Sequence, residues 1–268
     1  MQVSGFFLRI ALATMVASIY KPSEAFAPAR VPGVPTALAA ESEESSATAL
    51  MENIPDLDEL KSAPFMKQVG YGADMTEALT TLGNDSSVTD KLKDSLQAQL
   101  SHSDGIRGFM VSYLTGSYES STKEDGAIDA AEMIAKEQDP QILLETVSGL
   151  LNGGNKEDSK DLVSLMCMNV VMPIAMITMH TDPALSEASR LTAARGIRLL
   201  GSVVNGSILE NLQAISTAAN SSSETTSDDK LVTYWTEFFA KWGYEEAQKK
   251  DIAAAVEELL SKSSQEAQ

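Results

Sequence analysis

Basic residues, cysteine and histidine are scarce in this chain, and each scarcity removes a class of function. Only 20 Lys and Arg stand against 38 Asp and Glu, a net charge of −18. Nucleic-acid binding rests on Lys and Arg at phosphates, so nucleic acid is excluded as a partner. An anionic membrane surface is repelled for the same reason. A single cysteine, Cys167, excludes an intrachain disulfide framework. It sits in Leu165-Met166-Cys167-Met168, which reads as a buried thiol, because a nucleophilic cysteine needs a neighbouring base or a positive field. The two histidines, His102 and His180, are far apart in sequence, and no transition-metal site is expected. Asp125, Asp129 and Glu132 lack the Asp/Asn alternation of a calcium loop. No Gly-x-Gly-x-x-Gly, Walker loop or Gly-x-Ser-x-Gly occurs where a strand–turn–helix needs one. No catalytic residue, metal or cofactor is therefore expected, and the reading leans away from an enzyme. Sustained period-two alternation is also missing, so strands are not required.

What is present divides sharply by charge. Residues 1–40 hold one acid, Glu24, and three bases, Arg9, Lys21 and Arg30. The remaining 228 residues hold 17 bases against 37 acids, a net charge of −20. Gly5–Ile19 is an apolar run of signal-peptide length, shorter than the roughly 20 residues a bilayer span requires. It leads into Ser23-Glu24-Ala25-Phe26-Ala27-Pro28 and then a Pro-punctuated, acid-poor segment. This stretch resembles the bipartite leaders of plastid proteins in diatoms and related algae with red-derived plastids. The resemblance covers the leader alone and implies cleavage before Phe26, the targeting residue, with residues 1–40 removed. It implies a plastid protein of the stroma, with the thylakoid lumen or membrane as alternatives.

Behind the leader, residues 41–55 are acidic and Ser-rich and are expected as a disordered arm. Residues 56–262 read as one helical domain and 263–268 as a disordered tail. Val88, Leu92, Leu96 and Leu100 recur every four residues, after a capping-box-like Ser87-Val88-Thr89-Asp90. Asp104 is placed to cap the next helix, whose apolar face is Ile106, Phe109, Met110, Tyr113 and Leu114. Asp139-Pro140 and Asp182-Pro183 look like two identical starts, each a capping Asp with Pro at the first helical position. They lie 43 residues apart. That spacing fits a HEAT-type repeat, but capping that happened twice is the favoured reading. Asp228-Asp229 starts a helix whose stripe is Leu231, Tyr234, Trp235, Phe238, Phe239 and Trp242, and Gly243 turns the chain into a last helix. The expected fold class is all-α: a multi-helix bundle or short HEAT-like array of about eight to ten helices.

Leu162–Met179 runs eighteen residues without a charge and includes Met166, Met168, Met172, Met176 and Met179. A membrane span, a core helix buried all round and a flexible Met-lined pocket for a lipid, pigment or partner helix compete for it. The core helix is favoured, because Pro173, Asn169 and acids on both flanks suit a span poorly. Arg190, Arg195 and Arg198 form the one notable basic group. They are either a dock for an anion or an acidic partner, or internal ion-pair partners for the surplus acids. The functional expectation is a non-catalytic plastid protein that binds other plastid proteins, an assembly or scaffold factor. The alternatives are an apolar-ligand module and a thylakoid-associated protein with one span at 162–179. Membrane association is not favoured, and the oligomeric state is left open.

Overall fold

The computed structural model describes residues 51–81, 86–115, 129–153, 156–221 and 228–266. The leader with Phe26, the arm up to residue 50, and Asp125 lie outside the described residues. Among the described residues there are eleven α-helices from Leu57 onward, a helical turn at residues 51–53 before them, and no strand. They are α1 (Leu57–Ser62), α2 (Phe65–Thr81), α3 (Ser86–Gln99), α4 (Ser103–Thr115), α5 (Ala130–Lys136) and α6 (Gln141–Gly153). Then follow α7 (Lys156–Met179), α8 (Pro183–Ser202), α9 (Gly206–Asn220), α10 (Lys230–Trp242) and α11 (Glu246–Glu266). The all-α expectation holds, with one helix more than its upper bound.

Capping chemistry explains most of the boundaries. Asp182 accepts from Ala184 N at 2.8 Å, with Pro183 opening α8. Asp229 accepts from Leu231 N and Val232 N at the head of α10. Gly243 ends α10 with φ 65, the left-handed region where glycine carries no Cβ penalty. The cap of α4 is not Asp104, which stands inside the first turn beside Arg107. His102 takes that role, its Nδ1 accepting from Gly105 N at 3.3 Å.

Two outer boundaries also move. Residues 51–55, expected in the arm, belong to the folded body, because Met51 and Ile54 are apolar anchors with 3% and 4% exposure. Lys91 Nζ holds the Met51 carbonyl at 2.8 Å. The tail does not begin at 263, since α11 continues to Glu266, with Ser263 and Ser264 hydroxyls bonded to the carbonyls of Leu259 and Leu260.

Packing is organised around α7, which meets α4, α6, α8, α9 and α11. Leu162, Val163, Met166, Cys167, Val170, Val171, Ile174 and Ala175 bury its inward side. The helix runs on through Pro173. Proline has no N–H to offer the carbonyl four residues back, that of Asn169. Gly196 of α8 packs there, and a Cβ on it would stand 2.9 Å from Asn169 O. Gly196→Ala should therefore destabilise by about 1–2 kcal/mol, although alanine gains about 1 kcal/mol of helix propensity. A urea titration giving a higher midpoint for the variant would refute this contact.

The N-terminal helices are joined by a second close crossing, α2 on α4, where Gly72 and Gly108 bring the backbones together. A buried amide pair sits beside it. Gln99 Nε2 donates to the Gln68 carbonyl at 2.7 Å and to Gln68 Oε1 at 3.0 Å. Gln68 Nε2 donates in turn to Leu60 O at 2.5 Å. His102 Nε2 also reaches Leu60 O at 2.8 Å, which together with the Gly105 bond assigns the Nε2–H tautomer. One hydrophobic core runs continuously from Met51 to Leu259.

Candidate functional site

The three arginines of α8 are brought together with the connection between α4 and α6. Arg190 bonds Glu187 through Nε and Nη2 and Asp129 through Nη1 at 2.5 Å. Those bonds, to Glu187 first and then to Asp129, hold its guanidinium pKa above the ordinary value. Asp129 is held below the usual carboxylate range by the same contact. Arg195 Nη1 donates to the Leu114 carbonyl at 2.9 Å. Each expected dock residue is thus engaged inside the chain.

Arg198 is the most deeply placed. Its side chain is 10% exposed, against 0% for Asp139. Asp139 Oδ1 accepts from Arg198 Nη2 at 2.6 Å, from Arg198 Nε at 3.1 Å and from the Tyr113 hydroxyl at 2.6 Å. Arg198 Nη1 reaches Ile134 O at 2.9 Å and Glu137 Oε2 at 2.7 Å. Burial alone would lower the Arg198 pKa, but the bonds and charge of Asp139 outweigh it and raise it. Tyr113 is pushed up by burial and by its bond to Asp139. The carboxylate expected to cap α6 is therefore used elsewhere. Asp139-Pro140 and Asp182-Pro183 share a dipeptide but not a role. Asp139 Oδ2 is buried with no partner, so the pair is only half satisfied.

Cys167 is buried on α7. Burial pushes its thiol from 9.0 up to about 12. A thiol raised this way contributes stability below the unfolded pKa that is lost as pH rises from about 9 to 12. The expected loss is of order 2–4 kcal/mol by the top of that window, since a tenfold change in an ionisation equilibrium is about 1.4 kcal/mol. Cys167→Ala should flatten that share of the alkaline stability curve, and an unchanged slope would mean the thiol ionises freely in the folded state. Among the described residues no three His, Cys, Asp or Glu side chains gather as metal ligands.

The Met-rich segment has a sidedness that the sequence did not show. Ser164 Oγ lies 3.2 Å from Tyr234 OH of α10, and the Asn169 carbonyl faces Gly196 of α8. At 100° per residue, Met168, Met172, Met176 and Met179 occupy the arc between those two contacts. All four are only half-buried, whereas Met166 is in the core. The segment is thus neither buried all round nor open all round. Ser159–Met179 is long and apolar enough to cross a membrane, and half of that stretch is buried against the rest of the chain.

The aromatic stripe of α10 is split in the same way. Val232, Trp235 and Phe239 point into the core, and Trp235 Nε1 donates to Asn211 at 3.3 Å. Leu231, Phe238 and Trp242 are half-exposed and Tyr234 is 38% exposed. Gln248 Nε2 bonds Thr178 Oγ1 at 3.0 Å, so the corner after α10 returns to the far end of α7. The half-buried methionines of α7 and the half-exposed side chains of α10 are tied at Ser164 and Tyr234.

These elements define an all-α protein built on a long apolar central helix, and the comparisons add a family resemblance. Residues 138–259, spanning α6 to most of α11, are similar to a family described as uncharacterised conserved protein UCP020893. The Asp139–Arg198 pair and the methionine row of α7 lie inside that region, and Tyr113 lies outside it. No curated protein and no solved structure matches the chain.

Proposed function

We propose that this chain is a non-catalytic plastid protein that acts by binding other proteins, as an assembly or scaffold factor. The observation that carries this reading is the half-open strip of methionine and aromatic side chains on α7 and α10. Large apolar side chains left partly open on a folded body suit contact with another protein. The groups with more reactive chemistry are engaged elsewhere: Cys167 in the core, and Arg190, Arg195 and Arg198 in internal bonds. The address rests on the resemblance around Phe26.

A fluorescently tagged full chain expressed in an alga with a red-derived plastid tests address and activity together. Stromal fluorescence with a co-purifying protein at fixed stoichiometry is expected, and Phe26→Ala should leave the protein outside the stroma. Unchanged import of Phe26→Ala removes the address, and a monomer purified alone removes the activity. The Met-lined face also favours an apolar ligand as a second reading. A chromophore or lipid released from the purified chain by organic solvent would support it. Retention in the pellet after a carbonate wash of plastid membranes would instead favour a span at 162–179.

A further inference from the structure

We propose that Asn205 is an N-linked glycosylation site, modified as the chain passes through the secretory pathway on its way to the plastid. This goes beyond the protein-binding reading, but it rests on the signal-peptide run Gly5–Ile19 that the leader reading also uses. The acceptor pattern is Asn-x-Ser/Thr with x other than Pro, on the surface of the folded chain. Three such tripeptides occur: Asn84-Asp85-Ser86, Asn205-Gly206-Ser207 and Asn220-Ser221-Ser222. The first and third reach outside the described residues. The second lies wholly within them, at the corner between α8 and α9.

The corner suits the modification because the two ends of the Asn205 amide have separate tasks. Oδ1 caps α9, accepting from Ile208 N at 3.0 Å. That bond fixes the orientation of the amide and leaves Nδ2 on its other side, where it reaches Asn152 Oδ1 at 3.5 Å on exposed surface. A sugar attaches to Nδ2 and leaves Oδ1 in place, so the cap survives. In the transfer, the anomeric carbon of a lipid-linked oligosaccharide pyrophosphate bonds Nδ2 as its bond to the pyrophosphate oxygen breaks. One amide proton and the lipid pyrophosphate leave. Room for the glycan is present, because Gly206 and Ser207 are exposed and a Cβ on Gly206 would meet nothing within 4 Å. Ser207 Oγ makes no hydrogen bond among the described residues, so replacing it costs no contact there.

The test expresses the tagged full chain in an alga with a red-derived plastid and reads the intact mass of the purified protein before and after peptide-N-glycosidase. Wild type and Ser207→Thr are expected to lose one more glycan than Ser207→Ala, whatever Asn84 and Asn220 carry. Asn205→Asp keeps a capping carboxylate, so it should fold as wild type does and lack the same glycan. Equal losses of mass from wild type and Ser207→Ala would overturn the proposal. Phe26→Ala separates the site from the plastid address. It should keep the Asn205 glycan while remaining outside the stroma, because the signal peptide acts first. Unchanged import of Phe26→Ala with the glycan present removes the address and leaves the site. Plastid import of a wild-type chain without the Ser207-dependent glycan removes the site and leaves the address.

Discussion

Arg198→Met should destabilise the protein by about 3–5 kcal/mol, because it strands a carboxylate that has no route to water. The Asp139 side chain is fully buried and takes all of its protein bonds on Oδ1, two of them from Arg198. Oδ2 already lacks a partner, so removing the guanidinium leaves only the Tyr113 hydroxyl to satisfy the charge. The same change also frees the Ile134 carbonyl, which helps fix α5 on α8. Arg190 is the internal control. Its carboxylate partners, Asp129 and Glu187, are 42% and 47% exposed, so Arg190→Ala should cost no more than about 1 kcal/mol. Adding Asp139→Leu to Arg198→Met should recover much of the loss, since a buried pair replaced by apolar groups is often neutral. Chemical denaturation of the three variants checks the set. A loss under about 1 kcal/mol for Arg198→Met would mean that water reaches the Asp139 carboxylate in the folded state.

Gly108→Ala should cost about 3 kcal/mol or more, against the helix-propensity gain of about 1 kcal/mol. The decision between the two effects is geometric. A Cβ at Gly108 would stand 2.5 Å from Gln68 Cβ and 2.6 Å from the Gln68 carbonyl carbon. Neither is the tip of a flexible side chain, so α2 and α4 must move apart. That motion also strains the Ser112 Oγ bond to Val69 O at 2.7 Å and the Gln68–Gln99 amide pair. Gly149 in α6 has open space around its Cβ position, so Gly149→Ala should stabilise by about 0.5–1 kcal/mol. Thermal melts in opposite directions for the two variants are the expected result. A stabilised Gly108→Ala would mean that the crossing has slack.

The contrast between Gly108 and Gly149 shows where the sequence was informative. Leu92, Leu96 and Leu100 declared their buried face by spacing alone, and all are at most 1% exposed. Asp182, Asp229 and Gly243 declared helix ends because capping is local chemistry. Asp139 misled because its carboxylate is captured by Arg198, 59 residues away, which no local rule detects. His102 gives no capping signal in the sequence, because the usual cappers are Asp, Asn, Ser and Thr, and Asp104 stands nearby. The start of the folded body was misplaced because Met51 and Ile54 sit at the edge of an acidic, serine-rich run whose composition hides two anchors. For the candidate site, the sequence exposed the methionine row and the aromatic stripe. It could not tell their buried side from their open one, because that depends on where α8 and α11 pack against α7. Distance along the chain also hid the internal bonds of Arg190, Arg195 and Arg198, although the surplus of acids made such pairing an open alternative.

The claim that this protein works by contact with other proteins through the methionine side of α7 is tested most directly by site-specific photocrosslinking in the plastid. A photoreactive phenylalanine analogue at Met172 should give a discrete protein adduct, and the same residue at Glu258 on α11 should give none. Adducts of equal yield from both positions, or a lipid adduct from Met172, would contradict the account.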